Sequence, residues 1–332
     1  MREPSFWWQD PGLAAALLAP AAAFYGAVAA RRMAPRGTNA ALPVICVGNF
    51  TLGGSGKTPA AIALARLLAE AGRKPALLSR GYGGQVAGPV TVDPHAGTAA
   101  QVGDEAILLA QAATTIVARD RVAGAKAAQA AGADVIVMDD GLQNPSLTKK
   151  LSIAVVDGRR GIGNGKVFPA GPLRAPLAAQ LPHVSALLVI GEVDRARDVI
   201  AQARGLGLPI FHGRLVPDRA AIDALGGRQV LAFAGIGDPQ RFFATVAAAG
   251  IVAAHCEAFP DHHRYTAEQA GALIMQAEHD GLRLLTTAKD HARIAGDPAL
   301  TALALRAHVL PVDLIVEEEA AWRALALKAA GL

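Results

Sequence analysis

The chain has 332 residues, 52% hydrophobic and 18% charged, with a net charge of +4. That balance excludes a disordered polypeptide and gives room for two modest domains, each with its own core. Two cysteines, Cys46 and Cys256, far apart and outside any CxxC, argue against a disulfide framework or a cysteine zinc site and fit a reducing compartment.

The mild positive excess suits phosphates, anionic lipid or nucleic acid alike. The first element is PGLAAALLAPAAAFYGAVAA, residues 11–30, which carries no charge and is long enough to cross a bilayer as a helix. Trp7 and Trp8 precede it as interface anchors would, and Arg31, Arg32 and Arg36 follow, which would leave the rest of the chain in the cytoplasm. A secretory signal is suggested by Ala27-Val28-Ala29, yet the arginines follow the apolar run, the wrong order for export. The third reading is an Ala-rich helix packed on the domain, kinked at Pro20. Membrane association, spanning or interfacial, is the expectation.

Beyond residue 40, short β-branched runs alternate with helical patterns. Strands are expected at 43–48, 74–80, 114–118, 133–140 and 151–158, with helices at 60–72, 104–113 and 120–132 between them. The last two strands are nearly continuous apolar runs, as in strands covered on both faces. This βαβ alternation predicts an α/β fold with a mostly parallel sheet and helices on both faces. Residues 159–182 are rich in Gly and Pro and read as an irregular connection or hinge. Alternation resumes with strands at 186–191, 229–237, 251–255 and 282–287 and helices at 239–249 and 266–281. The predicted division is a membrane-associated helix over 1–38, a phosphate-loop core over 39–160, and a smaller α/β domain over 161–332.

The stretch VICVGNFTLGGSGKTP, residues 44–59, ends as a phosphate loop should, but Thr51 stands where the first glycine is expected. The strand before it and the helix after it supply the required context. Backbone N–H groups at Gly53 to Gly56 can wrap anionic oxygens, and the helix directs its positive end at them. Lys57 would reach the β- and γ-phosphates and Thr58 would ligate Mg²⁺. The candidate nucleotide site is thus Thr51, Leu52, Gly53, Gly54, Ser55, Gly56, Lys57 and Thr58. At the end of the 133–140 strand, Asp139 and Asp140 stand where a carboxylate can hold the magnesium water shell.

Other motifs carry less. GIGNGK (161–166) does not open a helix after a strand and reads as a turn. PDHHRY (260–265) lacks the companion clusters that metal ligation by His262 and His263 would need. Leu52 replaces the lysine of partitioning-type membrane ATPases, and no Asn-Lys-x-Asp element marks guanine specificity. A switch, a motor and a small-molecule kinase remain compatible with the loop alone.

The joint set VGNFTLGGSGKTP, SRGYGG (79–84), VGDEA (102–106), DDGLQ (139–143), PAGPLR (169–174), AGIGDPQRFF (234–243) and FPDHH (259–263) closely resembles the tetraacyldisaccharide 4'-kinase family, the lipid A 4'-kinases of Gram-negative bacteria. That family also has threonine or serine where the loop's first glycine is missing. The resemblance implies transfer of the ATP γ-phosphoryl to the 4'-hydroxyl of a tetraacylated disaccharide 1-phosphate at the cytoplasmic face of the inner membrane. Matched positions imply Asp104 as base or hydroxyl-positioning residue, paired with His262. Glu105 and Asp139 would lie near the metal, and Arg119, Arg121 and Arg174 near substrate or phosphates. Read without the resemblance, Asp104 is a helix N-cap, His262 a solvated loop residue, and Arg119 and Arg121 ordinary surface charge.

ATP and Mg²⁺ are the expected cofactors. Expected partners are the acylated disaccharide lipid and inner-membrane lipid, with no nucleic acid and a monomeric chain. Departures from the family pattern are Asn144 after DDGLQ, Ala175 after PAGPLR and Ala288 in Thr287-Ala288-Lys289-Asp290; Tyr82 of SRGYGG is retained, to contact nucleotide or stabilise the loop. Four acyl chains explain the apolar terminus, since moving each CH₂ into water costs ~0.8 kcal/mol. Each arginine after the helix adds roughly 1 kcal/mol of attraction to an anionic surface. A membrane-associated phosphate-loop ATPase, acting as a switch or transport motor, is the alternative.

Overall fold

The computed structural model describes residues 3–34, 37–94 and 96–332. Arg36, expected to face the membrane surface, lies outside the described residues.

In chain order the strands are β1 (Val44–Gly48), β2 (Pro75–Ser79), β3 (Val90–Thr91), β4 (Thr114–Val117), β5 (Val135–Asp139), β6 (Leu151–Asp157), β7 (Ala186–Ile190), β8 (Ile210–Pro217), β9 (Val230–Ala234), β10 (Ala253–Ala258), β11 (Arg283–Thr286), β12 (Ala307–Val309) and β13 (Val312–Val316). They form a nine-stranded sheet, β13-β8-β7-β6-β1-β5-β2-β4-β3, and a four-stranded one, β10-β9-β11-β12. All pairings are parallel except β13 with β8 and β3 with β4 at the edges of the larger sheet. Every residue of β1, β2, β5, β6 and β7 is buried, as the unbroken apolar runs require of strands covered on both faces.

The Lys57–Glu70 helix seals one face of the larger sheet, burying Ala60, Ala61, Leu64, Ala65 and Leu68 over Val47, Leu77 and Val137. Strand β1 lies between β5 and β6, and the chain leaves β1 toward β2 on one side and later returns to β6 on the other. The carboxyl end of β1 is therefore a switch point, where open α/β sheets bind ligands.

The expected division of the chain needs correction. Strands β7, β8 and β13 all lie beyond residue 161, yet they extend the larger sheet, and the smaller sheet spans only Val230 to Val309. Apolar β7 pairs along its whole length with β6, so the larger sheet continues past the Gly/Pro-rich stretch. The chain passes between the sheets around the Arg219–Ala224 helix and again between β12 and β13, so a hinge at 159–182 would fall inside the larger unit.

The terminal apolar run forms one uninterrupted helix, Leu13–Met33, with Pro20 inside it. Ala15, Ala22, Gly26 and Met33 form its buried side. A Cβ on Gly26 would come within 3.3 Å of Pro176 and 3.6 Å of Val167, so the small residue admits the close approach. Leu13, Leu17 and Phe24 on the other side are 85%, 81% and 75% exposed. The helix is long and apolar enough to cross a membrane by length and composition, and mostly uncovered by the rest of the protein.

Candidate active site

The phosphate loop leaves β1 and is braced from outside by residues 172–180. Leu52 N donates to Pro172 O at 2.8 Å, Arg174 N to Phe50 O at 2.9 Å, and the Arg174 Nε to Thr51 O at 2.8 Å. Thr51 itself makes an antiparallel bridge with Leu173. Among the described residues, only Asp140 and His262 are non-glycines with positive φ, so Thr51 needs none of glycine's freedom. Gly56 does: its φ is 91°, and a Cβ there would come within 2.7 Å of Ile190 Cδ1. The Ser55 hydroxyl is buried without a partner. A Cβ on Gly53 would meet the Glu3 carboxylate, which Arg160 holds at 2.9 Å and the Trp8 indole at 3.0 Å.

Two amides, the buried Gln180 and the half-buried Gln143, lock the first residues of the loop. Gln180 Nε2 donates to Phe50 O at 3.3 Å and Ala175 O at 2.6 Å, while Gln143 Nε2 donates to Asn49 O at 2.6 Å and Gln180 Oε1 at 2.8 Å. Gln180 is fully buried, so its amide must be paired within the protein.

Behind the loop, β5 delivers two carboxylates in different states. Asp139 is buried with one oxygen unpartnered, and burial, followed by Glu105 and Asp140, pushes its pKa up to about 7. Asp140 adopts a left-handed conformation, φ 51°, that turns it to Lys57 Nζ at 3.6 Å and Arg174 at 3.1 Å. Burial works against ionisation, but Lys57 and Arg174 hold it down at about 2. Burial also lowers the pKa of the Lys57 ammonium.

The smaller sheet completes the site. Gly103 takes the N-cap of the Asp104–Ala112 helix, leaving the buried Asp104 in its first turn, so the cap reading of Asp104 does not hold. One Asp104 oxygen accepts from Glu105 N at 2.9 Å; the other faces His262 Nδ1 at 3.4 Å and Arg293 Nε at 2.7 Å. Although burial opposes it, His262 and then Arg293 hold the carboxyl well below the usual carboxylate range. Its contact with Asp104 raises His262 in turn. The backbone at His262 is left-handed, φ 55°; such conformations concentrate where the fold fixes a functional side chain. Lys289 pairs with Glu105 at 2.5 Å, so that carboxylate is already neutralised. His263 serves structure: it stacks on Phe259 and contacts Gln269 at 2.9 Å.

The structure thus brings the loop, Asp104, Glu105, Asp139 and His262 to one cavity of about 1920 Å³. Arg119 and Arg121 line it too: Arg119 is exposed, while Arg121 is buried with its guanidinium on Ala118 O at 2.8 Å. Arg174 braces loop and Asp140 rather than standing free. The Tyr82 ring, also on the wall, lies 5.2 Å from that of His262. Of the departures, Asn144 accepts from Ser146 and closes its own turn, Ala175 is fully buried with its carbonyl on Gln180, and Ala288 begins a helix capped by Thr287. Gln143, Gln180, Lys289 and Arg293 were not singled out as site residues from sequence. Gln143 stood within DDGLQ and Lys289 within Thr287-Ala288-Lys289-Asp290, but Gln180 and Arg293 carried no local signal.

Comparison with known proteins follows the same lines. The sequence profile of the tetraacyldisaccharide-1-P 4'-kinase family matches residues 14–330. A tetraacyldisaccharide 4'-kinase of Methylobacterium sp. (strain 4-46) is 59% identical over 94% of this chain and 95% of its own. That of Rhodopseudomonas palustris (strain BisA53) is 53% identical over 97% and 94%. A crystal structure of LpxK from Aquifex aeolicus, described as a complex with ATP, is 25% identical and superposes with a TM-score of 0.74 over 95% of this chain and 99% of that one. The family profile and these relatives agree, and the chain belongs to the tetraacyldisaccharide 4'-kinase family.

Proposed function

We propose that the protein binds ATP in the Thr51–Thr58 loop and transfers its γ-phosphoryl to the 4'-hydroxyl of tetraacyldisaccharide 1-phosphate, with Asp104 receiving the acceptor hydroxyl. The observation that carries this reading is the meeting of Asp104, from a helix beside the larger sheet, and His262, from a loop after a strand of the smaller, on the wall of the cavity that holds the loop. Phosphoryl transfer passes through a loose transition state, so placing the hydroxyl and neutralising charge supply most of the rate. Asp104 accepts the hydroxyl's hydrogen bond and then its proton as the oxygen bonds to the γ-phosphorus and the bond from that phosphorus to the bridging oxygen breaks, releasing ADP; His262 orients the carboxylate and keeps it ionised until then. Lys57, buried beside Asp140, presents its charge to the outer phosphates.

Magnesium fits this donor set as an ion carried by the nucleotide. No cluster of three or more His, Cys, Asp or Glu side chains suited to a metal occurs among the described residues. The orphaned Asp139 oxygen and the buried Thr58 nonetheless offer the few protein contacts that Mg²⁺ needs alongside phosphates and water. Held there, the ion would neutralise charge on the transferring phosphoryl. Glu105, already paired with Lys289, is the weaker candidate.

The exposed Leu13, Leu17 and Phe24 beside a packed small-residue side favour a helix lying in the bilayer interface, on the cytoplasmic face of the inner membrane. The family match does not favour the switching or transporting ATPase. Labelled ATP and the purified lipid acceptor test the proposal: lipid-dependent transfer supports it, and ATP hydrolysis indifferent to the lipid refutes it.

A further inference from the structure

We propose that Arg293 is the positioning residue of the Asp104–His262 pair, fixing the angle at which the Asp104 carboxylate meets the acceptor hydroxyl. This rests on the assignment of Asp104 as the group that receives that hydroxyl. Arg293 comes from the Ala288–Ala295 helix beside the smaller sheet, and Asp104 from the helix beside the larger one. Its side chain is only 8% exposed. Nε and Nη2 both approach one Asp104 oxygen, at 2.7 and 2.5 Å, while Nη1 donates to Gly235 O at 2.6 Å and Asp290 Oδ1 at 2.9 Å. A planar guanidinium held on two edges cannot swing.

The anchor is itself anchored. Asp290 is fully buried and accepts from Gly235 N at 2.9 Å, the Tyr265 hydroxyl at 3.0 Å and the Thr287 hydroxyl at 2.6 Å. Rigidity therefore runs from the smaller sheet's loops through Asp290 and Arg293 to the Asp104 carboxylate. That carboxylate needs it, because the terminal torsion of an aspartate is broad and not set by rotamer preference. Glu105 N fixes one oxygen, and His262, at 3.4 Å and partly exposed, is the looser contact on the other. Arg293 also joins the sheets at the reacting atoms, so Asp104 takes its working orientation only when the two halves are together. A lysine could neutralise Asp104 but has no fork to span Asp104, Gly235 and Asp290 at once.

The test compares the full-length Arg293→Met, Arg293→Lys, Arg293→Ala and Asp104→Ala proteins, assayed with ATP and the tetraacyldisaccharide lipid. Arg293→Met is expected to lower kcat by roughly 10²-fold, the scale of a misplaced catalytic group, with the KM for ATP little changed. Guanidinium ion at millimolar concentration is expected to restore kcat in Arg293→Ala and to do nothing for Asp104→Ala. A merely structural role gives no such rescue. Wild-type kcat in Arg293→Met, a loss confined to KM, or absence of rescue overturns the proposal. If Arg293→Met fails to fold, Arg293→Lys decides, and a folded lysine variant with wild-type kcat overturns it. An active Asp104→Ala protein refutes the Asp104 assignment itself; an inactive one beside a fully active Arg293→Met refutes only the role of Arg293.

Discussion

His262 Nδ1 lies 3.4 Å from Asp104 Oδ2, although one residue follows a strand of the smaller sheet and the other sits in a helix beside the larger. Asp104→Asn preserves the shape of the carboxylate but removes its capacity to take a proton. Turnover is expected to fall by roughly 10²–10⁴-fold, the range for losing a general base. ATP affinity, measured by calorimetry, is expected to hold, since Asp104 is not part of the phosphate loop. Near-full activity in Asp104→Asn would remove the base assignment.

The same contact sets a pH signature. Asp104 raises the pKa of His262 above 6.5, so its stabilising contribution is complete below that pH and is lost as pH rises through the folded-state value. In Asp104→Asn the NMR titration midpoint of His262 should move down, and the corresponding slope of stability against pH should flatten. A midpoint that stays in place would contradict the pairing.

The phosphate loop gives paired expectations at two positions. Thr51→Gly should leave ATP affinity close to wild type, because φ at Thr51 is not positive, and should cost about 0.5–1 kcal/mol of stability through chain entropy. Gly56→Ala places a methyl 2.7 Å from Ile190 Cδ1 at φ 91°. Strain of about 1–3 kcal/mol is the expected cost. Nucleotide titration should reveal a Kd weakened about tenfold or more.

Gln180→Leu keeps the volume but strips the donors from Phe50 O and Ala175 O and the acceptor from Gln143. Unpaired buried groups cost about 1–3 kcal/mol each, so a lowered Tm and weaker ATP binding are expected together. A variant with unchanged nucleotide affinity would show that the amide pair is not shaping the loop.

Replacing Leu13, Leu17 and Phe24 with Glu removes the exposed apolar side of the helix while leaving Ala15, Ala22 and Gly26 in place. Losing burial of about 1.5 kcal/mol or more at each site should weaken vesicle binding by over about 10²-fold, with Tm nearly unchanged. Undiminished flotation with vesicles would refute the interfacial placement.

The central strands were legible because β1, β2, β5 and β6, like β7 and β9, are short, almost wholly apolar runs, as strands covered on both faces must be. Strands β8, β12 and β13 escaped notice: they lie toward sheet edges, are only partly buried, and carry residues such as Arg214, His308 and Asp313. Their omission moved the domain boundary, since β13 returns to the larger sheet from the far end of the chain. The loop could be read because its chemistry is contiguous in sequence. Arg293 could not, because it reaches Asp104 across 189 residues and nothing in its own neighbourhood points there. Asp104 and His262 became visible only through the motifs that surround them.

The segment ahead of the Leu13–Met33 helix is stitched to residues 164–169: Asn164 N bonds Trp7 O at 2.8 Å, and the Trp7 indole bonds Pro169 O at 3.1 Å. That stitching carries Glu3 to Gly53, beside the nucleotide loop. A substitution at Glu3 would therefore be felt at the nucleotide loop, although the two are far apart in sequence.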